Sequence, residues 1–174
     1  DWKKARFSYQ EYFQRMDKQA ERFGQPVSAL LGAIEAQIQL GLPSIGGKDS
    51  MSGTFEELTV PPTLVAFGVT TANIQKVMSP EFKDINEFIY YIPGDKISEN
   101  IDFEHIRFNF NQVDYICENY RVTAISAVKY GGLLESLAVM SFGNRIGAHV
   151  EVSDIASSIS GELGGFLITS PSDI

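Results

Sequence analysis

Apolar residues in the first quarter of the chain recur with the spacing of an α-helix. They occupy residues 12–23, directly behind the capping-box sequence Ser8–Glu11. A second helix is predicted to begin at Pro26, which suits the first position of a helix, and to end at Gly41. The pattern therefore predicts two helices that pack as a hairpin about Gly24–Gln25.

The rest of the chain alternates between strand and helix patterns. β-Branched and apolar residues predict a buried strand at residues 63–69, and the pattern then breaks near Ser79–Pro80, where we place a domain boundary between parts 1–78 and 79–174. The second part is predicted to contain, in order, a strand at 87–92, a helix from Asp102, a strand at 122–127, the glycine turn Gly131–Gly132, a helix at 133–142, an alternating strand at 146–152 and a last strand at 165–169. This order predicts an α/β (α+β) fold in which helices cover one face of a sheet.

Composition narrows the class of protein. The 174 residues are 44% hydrophobic and carry a net charge of −8, which argues against a disordered chain and disfavours binding to nucleic-acid polymers. No apolar run approaches the length of a membrane span, so we expect no membrane partner and a cytoplasmic protein. The single Cys117 allows no internal disulfide. Because the chain starts at Asp1, we expect it to be a piece of a longer protein.

The segment Gly46–Thr54 has the most unusual combination of residue types in the sequence. Its glycines allow backbone amides to approach an oxygen-rich ligand, and Lys48 can neutralise phosphate charge. Asp49 can hold Mg²⁺ or orient the lysine, and the hydroxyls of Ser50 and Ser52 can donate to phosphate or substrate oxygens. The alternative interpretation is a polar turn between a helix and a strand, with Asp49 and Ser50 as a local cap. The spacing is not that of a phosphate-binding P-loop.

Other candidate groups favour structural roles. The Gly131–Gly132 turn could present helix-start amides to an anion, but a tight turn that packs helix on strand is the simpler interpretation. Neither His105 nor His149 has metal-ligand neighbours at suitable spacing, and Cys117 lies on the apolar side of its helix.

Five sequence blocks resemble one enzyme family. The run Leu42–Gly53 (LPSIGGKDSMSG), followed by Val60–Val65 (VPPTLV), resembles phosphoribosylformylglycinamidine synthase. The blocks Gly131–Ala138 and Phe142–Gly147 resemble a later part of the same enzyme, and Phe7–Phe13 resembles its long, single-chain form. The resemblance spans most of the chain, and the Gly-Gly-Lys-Asp-Ser-Met-Ser block is its most specific motif.

The resemblance implies a fold and an activity. The family converts formylglycinamide ribonucleotide, glutamine and ATP to formylglycinamidine ribonucleotide, ADP, phosphate and glutamate in purine biosynthesis. Its long form contains two aminoimidazole-ribonucleotide-synthetase-like halves and a glutaminase domain. Residues 1–78 would finish an N-terminal subdomain of the second half, and residues 79–174 would begin a C-terminal subdomain, with helices packed on mixed sheets. The expected partners are the first synthetase-like half and the glutaminase domain of the same chain.

The resemblance also implies roles for residues of the glycine-rich segment, but no catalytic residue in this chain. Lysine cannot ligate Mg²⁺ while it is protonated, so we expect Lys48 to contact phosphate and Asp49 to take the metal role. The implied sites are Gly46, Gly47 and Lys48 for ATP, Ser50 and Ser52 for substrate, and Asp49 for Mg²⁺.

Two interpretations of this chain remain open. In the first, it supplies one wall of the ATP and substrate site and is inactive alone. In the second, it is a non-catalytic, pseudosymmetric scaffold for folding and assembly. Ala127 and Lys129 favour the second for the C-terminal part, because many long-form relatives carry acids there that bind an auxiliary nucleotide with Mg²⁺. We also expect the chain to self-associate through the sheet face that would normally meet the first half.

Overall fold

The computed structural model describes residues 1–98 and 100–174. The chain divides into two compact units, a first unit at Asp1–Ala72 and a second unit at Asn73–Ile174. The division lies close to the boundary predicted from the sequence, and the assignment of the units to synthetase-like subdomains stays a prediction. No helix in the described part of the chain is both long enough and apolar enough to cross a membrane.

Each unit contains one three-stranded sheet and a short two-stranded ribbon. The first unit consists of β1 (Arg6–Tyr12), α1 (Ala20–Leu40), β2 (Ser44–Ser50), β3 (Thr54–Phe55), β4 (Leu58–Thr59) and β5 (Thr63–Val69). The second unit consists of β6 (Phe88–Ile92), β7 (Asp95–Lys96), α2 (Phe103–Asn119), β8 (Ala124–Ala127), α3 (Gly132–Phe142), α4 (Ile155–Ser158), β9 (Glu162–Leu163) and β10 (Phe166–Ser170). The predicted α/β class, with helices packed on small mixed sheets, is confirmed.

The sheet of the first unit has the order β2-β1-β5, with β1 in the centre. Strand β1 pairs in parallel with β2 and antiparallel with β5. Parallel neighbours need a crossover, and α1 supplies it. The helix ends at Gly41, as predicted, in the left-handed conformation that glycine adopts without strain. The Gln37 side chain fixes the return to β2, because its Oε1 accepts a hydrogen bond from the Ser44 amide at 2.7 Å.

The predicted helix behind Ser8–Glu11 is wrong. These residues form most of β1, and the capping-box pattern has no helix to cap. A central strand hydrogen-bonds along both edges, here to β2 and to β5. This pairing between distant segments outweighs the local helix signal, which involves one side chain and one turn.

The predicted helical hairpin is also wrong. A single helix, α1, runs through Gly24 and Gln25 without a break, and Pro26 lies inside it. Proline deprives the Arg22 carbonyl of its helical hydrogen bond, and its ring crowds that carbonyl, so the helix continues through Pro26 at a cost in stability. Pro26 is buried, so its ring contributes apolar packing at the same place.

Two adjacent glycines of β2 have different surroundings. A Cβ atom on Gly47 would lie 2.6 Å from the backbone carbonyl oxygen of Tyr9, its partner on β1. A Cβ atom on Gly46 would have no heavy atom within 4 Å. Gly47 therefore permits the close approach of β2 to β1, whereas Gly46 does not have this constraint.

The second unit is built around β10, whose residues 167–170 are buried. The sheet order is β6-β10-β8, and both pairings are antiparallel. Leu167 contributes to a core with α3 that includes Leu137 and Met140. The preceding residue, Phe166, faces the other way and contacts Phe110 of α2, with ring centroids 5.8 Å apart. The two helices thus cover opposite faces of this sheet, rather than the single face that was predicted.

The predicted elements of the second unit agree with the structure, with one exception. Strands at 88–92, 124–127 and 166–170 and helices at 103–119 and 132–142 are all present. The predicted strand at 146–152 is absent, and those residues have no regular secondary structure. Most of their side chains are exposed, so their apolar alternation is not matched by a neighbouring strand.

Glu162 is the centre of a buried polar cluster in the second unit. Its side chain is 3% exposed and accepts hydrogen bonds from Tyr91 Oη at 2.5 Å, from Lys96 Nζ at 2.7 Å and from the Gly94 amide at 3.0 Å. Burial alone would raise the pKa of this carboxyl, but the bonds from Lys96, Tyr91 and Gly94 outweigh burial and hold the pKa below its usual value. The cluster joins β6, β7 and β9.

We expect Gly47→Ala to lower the free energy of unfolding of the first unit by about 1–3 kcal/mol, because the added methyl group collides with the Tyr9 carbonyl. The matched variant Gly46→Ala should change it by less than about 0.5 kcal/mol. Urea unfolding followed by circular dichroism measures both values. Equal effects of the two substitutions would contradict the close approach at Gly47.

We expect Glu162→Gln to lower the free energy of unfolding by about 1.5–3 kcal/mol at pH 7, because the charge-assisted bond from Lys96 is lost. The pKa of Glu162 is lowered in the folded state, so this contribution is present above pH 4.5 and disappears as the pH falls through the folded pKa. Urea unfolding at several pH values should therefore show that the free energies of unfolding of the wild-type and Glu162→Gln proteins approach each other at acidic pH. The exposed Glu151→Gln serves as the control and should show neither effect.

Candidate functional site

The glycine-rich segment forms an exposed edge strand. It was predicted as a polar loop over residues 46–54, but residues 46–50 belong to β2 and pair with β1. Because β2 has β1 on one side only, its other edge presents unpaired backbone amides and carbonyls. The residues from Gly46 to Asp49 are exposed, so this edge is accessible to a ligand.

The pleat of β2 separates the predicted site residues onto two faces. Asp49 lies opposite Glu11 of β1, on the face that α1 covers, whereas Lys48 lies opposite Gln10 on the open face. Ser50 lies on the open face with Lys48. The side chains therefore alternate between the two faces, although Gly46 and Lys48, at the free edge of the sheet, also border the groove beside α1. A ligand bound along the free edge of β2 can still contact side chains on both faces of the sheet, because only the backbone of the strand separates the two faces.

Asp49 and Glu11 form a carboxylate pair. They occupy paired positions on parallel strands and share one face of the sheet. Burial raises the pKa of Glu11, and the negative charge of Asp49 raises it further. Two neighbouring carboxylates supply the hard oxygen ligands that Mg²⁺ prefers. In the described residues, no group of three or more His, Cys, Asp and Glu side chains could hold a metal ion, so this pair is an incomplete ligand set.

An open groove of about 480 Å³ runs between α1 and β2. Leu30 and Ile34 of α1 form its apolar wall, and the segment from Gly46 to Asp49 forms its polar wall. Tyr9 and Glu11 line it as well. The groove thus combines an apolar surface with carboxylates and exposed backbone amides, which is the combination that a small polar ligand with an apolar part requires.

Ser52 lies outside this groove. It follows the end of β2, and its backbone carbonyl accepts a hydrogen bond from the Thr54 amide at 2.8 Å. It lines a separate open depression at the β3–β4 ribbon, together with Phe55 and Leu58. The structure therefore brings five of the six predicted site residues together on β2 and leaves Ser52 beside them.

The second glycine turn, Gly131–Gly132, makes its contacts within the protein. The Gly131 amide donates a hydrogen bond to the Glu135 carboxylate at 2.8 Å. Gly132 has a φ of +69°, and a Cβ atom there would lie 2.6 Å from the Ser158 carbonyl oxygen. These contacts favour the structural interpretation, in which the glycines allow close packing against residues 158–160.

No pattern in the sequence indicated the histidine–aspartate pair that forms in the second unit. His105 Nδ1 lies 2.7 Å from Asp95 Oδ1, and both side chains are partly exposed. Ten residues separate them along the chain, and only the return from β7 to the start of α2 brings them together. Cys117 is partly buried, and burial raises the pKa of its thiol, which is consistent with the predicted unreactive role.

Comparison of the sequence with known proteins supports the resemblance. No family model matches the sequence. The PurL subunit of phosphoribosylformylglycinamidine synthase from Picrophilus torridus is 26% identical over 117 residues, which cover 59% of this chain and 16% of that protein. The predicted resemblance to this synthase is confirmed.

Solved structures share the fold. Thermotoga maritima PurL complexed with ATP has a TM-score of 0.65 and 12% identity, over 97% of this chain and 30% of that one. The same protein complexed with FGAR has a TM-score of 0.65 and 13% identity, over 98% and 32%. The hydrogenase maturation protein HypE of E. coli has a TM-score of 0.62 and 8% identity, over 97% and 59%. This chain thus spans less than a third of the PurL structures.

We expect Asp49→Asn to lower the pKa of Glu11 toward its usual value, because the neighbouring negative charge is removed. The matched variant Lys48→Ala should change this pKa much less, because Lys48 projects from the opposite face of the sheet. NMR titration of the side-chain carboxyl carbon of Glu11 measures both. A larger shift in Lys48→Ala than in Asp49→Asn would contradict the two-face arrangement.

Proposed function

We propose that this chain is part of an ATP-dependent ligase of purine biosynthesis that makes formylglycinamidine ribonucleotide from formylglycinamide ribonucleotide, glutamine and ATP. The PurL relative from P. torridus and the motif at Leu42–Gly53 support this reaction class. The fold alone does not distinguish this reaction from other activities, because HypE shares that fold. The solved structures of T. maritima PurL include complexes with ATP, AMPPCP, ADP and FGAR, and we extend both ligand classes to this chain.

One observation carries the proposal that the first unit supplies a wall of the active site. The strand β2 lies exposed at the edge of its sheet, beside the apolar flank of α1 formed by Leu30 and Ile34. A purely structural turn would be packed against its own unit. The accessible edge instead offers backbone amides, a lysine and a carboxylate pair to a ligand.

The residues of β2 have distinct proposed roles. Lys48 neutralises phosphate charge, and the exposed backbone at Gly46 and Gly47 approaches the phosphate oxygens. The hydroxyl of Ser50, on the same face as Lys48, donates to substrate oxygens. Ser52 does so from the separate depression beside the β3–β4 ribbon. The proposed role of Gly47 in ligand binding involves only its backbone. The close contact with the Tyr9 carbonyl already explains why this position is a glycine.

Asp49 and Glu11 are the residues that would hold Mg²⁺. Both present carboxylate oxygens on one face of the sheet, and the raised pKa of Glu11 reflects the negative potential that a cation would relieve. When bound, Mg²⁺ would offset the negative charge of ATP phosphates. Because only two carboxylates meet here, the remaining ligands would come from the nucleotide, from water or from another part of the enzyme.

Catalysis in this proposal depends on other parts of the enzyme. The first synthetase-like half would complete the ATP and substrate site, and a glutaminase domain would supply ammonia in the cytoplasm. This chain alone is therefore inactive. The second unit acts as a scaffold, which the occupied Gly131 amide and the packed Gly132 favour.

The test compares lysine variants in the complete synthase that contains this sequence. We expect Lys48→Ala to lower kcat/KM for ATP at least tenfold, because a phosphate contact to a charged group is lost. The exposed Lys18→Ala serves as the control and should leave the value unchanged. Measurement of glutamine-dependent amidine formation gives both values.

Two results would contradict parts of this proposal. An unchanged kcat/KM for ATP in Lys48→Ala would remove β2 from the ATP site. Amidine formation by the 174-residue chain on its own would overturn the proposal that it is only one wall of the site.

A further inference from the structure

A β-bulge interrupts the pairing of β2 with β1. Phe7 lies opposite Ser44. The next residue of β1, Ser8, lies opposite Gly46, so Ile45 has no partner on β1. An extra residue of this kind changes which face of the sheet every later side chain of the strand occupies. The side chain of Ile45 is 68% exposed, so packing in the core does not account for the extra residue.

Hydrogen bonds on both sides of the bulge hold the two parts of β2 at different offsets along β1. Before the bulge, the Phe7 amide donates a hydrogen bond to the Pro43 carbonyl at 3.2 Å. After the bulge, the Phe13 amide donates a hydrogen bond to the Ser50 carbonyl at 2.8 Å. The later offset decides the faces of the charged residues, because all of them follow Ile45.

A regular ladder without the bulge would exchange the two charged residues of β2 between the faces. Every residue after Ile45 would lie one position further along β1, in what we call the second register. Lys48 would then lie opposite Glu11, in the place that Asp49 occupies in the structure. Asp49 would lie opposite Tyr12, on the open face of the sheet.

The second register is sterically accessible because two glycines are adjacent. Of the two glycine positions, only the one opposite Tyr9 has no room for a Cβ atom, which would lie 2.6 Å from the Tyr9 carbonyl oxygen. A shift of one residue would bring Gly46 to this position in place of Gly47. It would also bring Ile45 opposite Ser8, where a Cβ atom has no heavy atom within 4 Å. The glycine pair therefore permits both registers.

Charge favours the second register over the observed one. In the structure, Glu11 lies opposite the like charge of Asp49, whereas in the second register it would lie opposite Lys48. The bulge thus preserves a pairing that the charges oppose. A local conflict of this kind is expected where a structure serves a functional site, and bulges commonly redirect side chains there.

We propose that the bulge at Ile45 positions the charged residues of the site, because it holds Asp49 opposite Glu11. Gly47 shares this role, since only a glycine fits its place in the observed register. The inference rests on the proposed function, in which Asp49 and Glu11 hold Mg²⁺ and Lys48 contacts phosphate. In the second register Lys48 and Glu11 would neutralise each other, and the carboxylate pair would be lost.

Substitution of each glycine in the 174-residue chain tests the register. In Gly47→Ala, the added methyl group should move β2 into the second register. Cross-strand nuclear Overhauser effects should then connect Glu11 with Lys48 instead of Asp49. The matched control Gly46→Ala should keep the contact between Glu11 and Asp49, because position 46 has free space in the observed register.

Two results of this experiment would overturn the proposal. The first is a contact between Glu11 and Asp49 that persists in Gly47→Ala. The second is unfolding of Gly47→Ala under conditions in which Gly46→Ala remains folded, because the second register would then not be accessible. Circular dichroism distinguishes the folded from the unfolded variant.

Exchange of the two charges tests the positioning role in the complete synthase. Gly47→Ala should lower kcat/KM for ATP at least tenfold, because Lys48 then lies beside Glu11. Addition of Lys48→Asp and Asp49→Lys to this variant should raise kcat/KM again by about fivefold or more, because the shifted strand then presents a carboxylate to Glu11. The same exchange without Gly47→Ala should lower kcat/KM. A mere loss of stability would not be repaired by exchanging two exposed charges.

The two experiments distinguish failure of the positioning role from failure of the proposed function. A shifted register with unchanged kcat/KM for ATP would contradict the ATP site on β2, and with it the positioning role. An unshifted register in Gly47→Ala would contradict the positioning role alone. Failure of the charge exchange to restore any activity to the shifted strand would also overturn the positioning role.

Discussion

The parallel pairing of β1 with β2 is the contact on which the first unit depends. It requires the backbone of Gly47 to pass so close to the Tyr9 carbonyl that a Cβ atom would lie 2.6 Å away. The pairing makes β1 a central strand and β2 an edge strand. It brings Asp49 beside Glu11, and it places the groove under α1. A site assembled from backbone pairing in this way is sensitive to any residue that moves the two strands apart.

Local signals predicted the elements of the second unit well and those of the first unit poorly. The Asp102 side chain accepts hydrogen bonds from the first amides of α2, which is the contact that its sequence position suggests. Strand β5 has the predicted bounds, because its apolar run is itself the signal. Strand β1 was missed because its conformation is decided by β2 and β5, which lie more than thirty and fifty residues further along the chain. No pattern within residues 6–12 reports those partners.

The candidate site was predictable in its residues but not in its geometry. The identities of Lys48, Asp49 and Ser50 suggested phosphate, metal and substrate chemistry. Their division between two faces follows from the pleat of a strand, which could not be inferred while the segment was interpreted as a loop. Glu11 was missed for the same reason, since its role arises only from the register between β1 and β2. The sequence resemblance to the synthase drew attention to this segment, but it did not reveal which side chain lies on which face of the sheet.

Helix α1 borders the groove and also leaves a stripe of large apolar side chains exposed, namely Phe23, Val27, Leu30, Leu31, Ile34 and Ile38. Leu30 and Ile34 belong to both, as a wall of the groove and as a margin of the stripe. Whatever packs on the stripe therefore also borders the groove and narrows its open side. A surface packed there would exclude water from the groove, and exclusion of water strengthens the polar contacts within a site. The small residues on the sheet side of α1 make this arrangement possible, because they allow the helix to lie close to the sheet while its large residues remain outside.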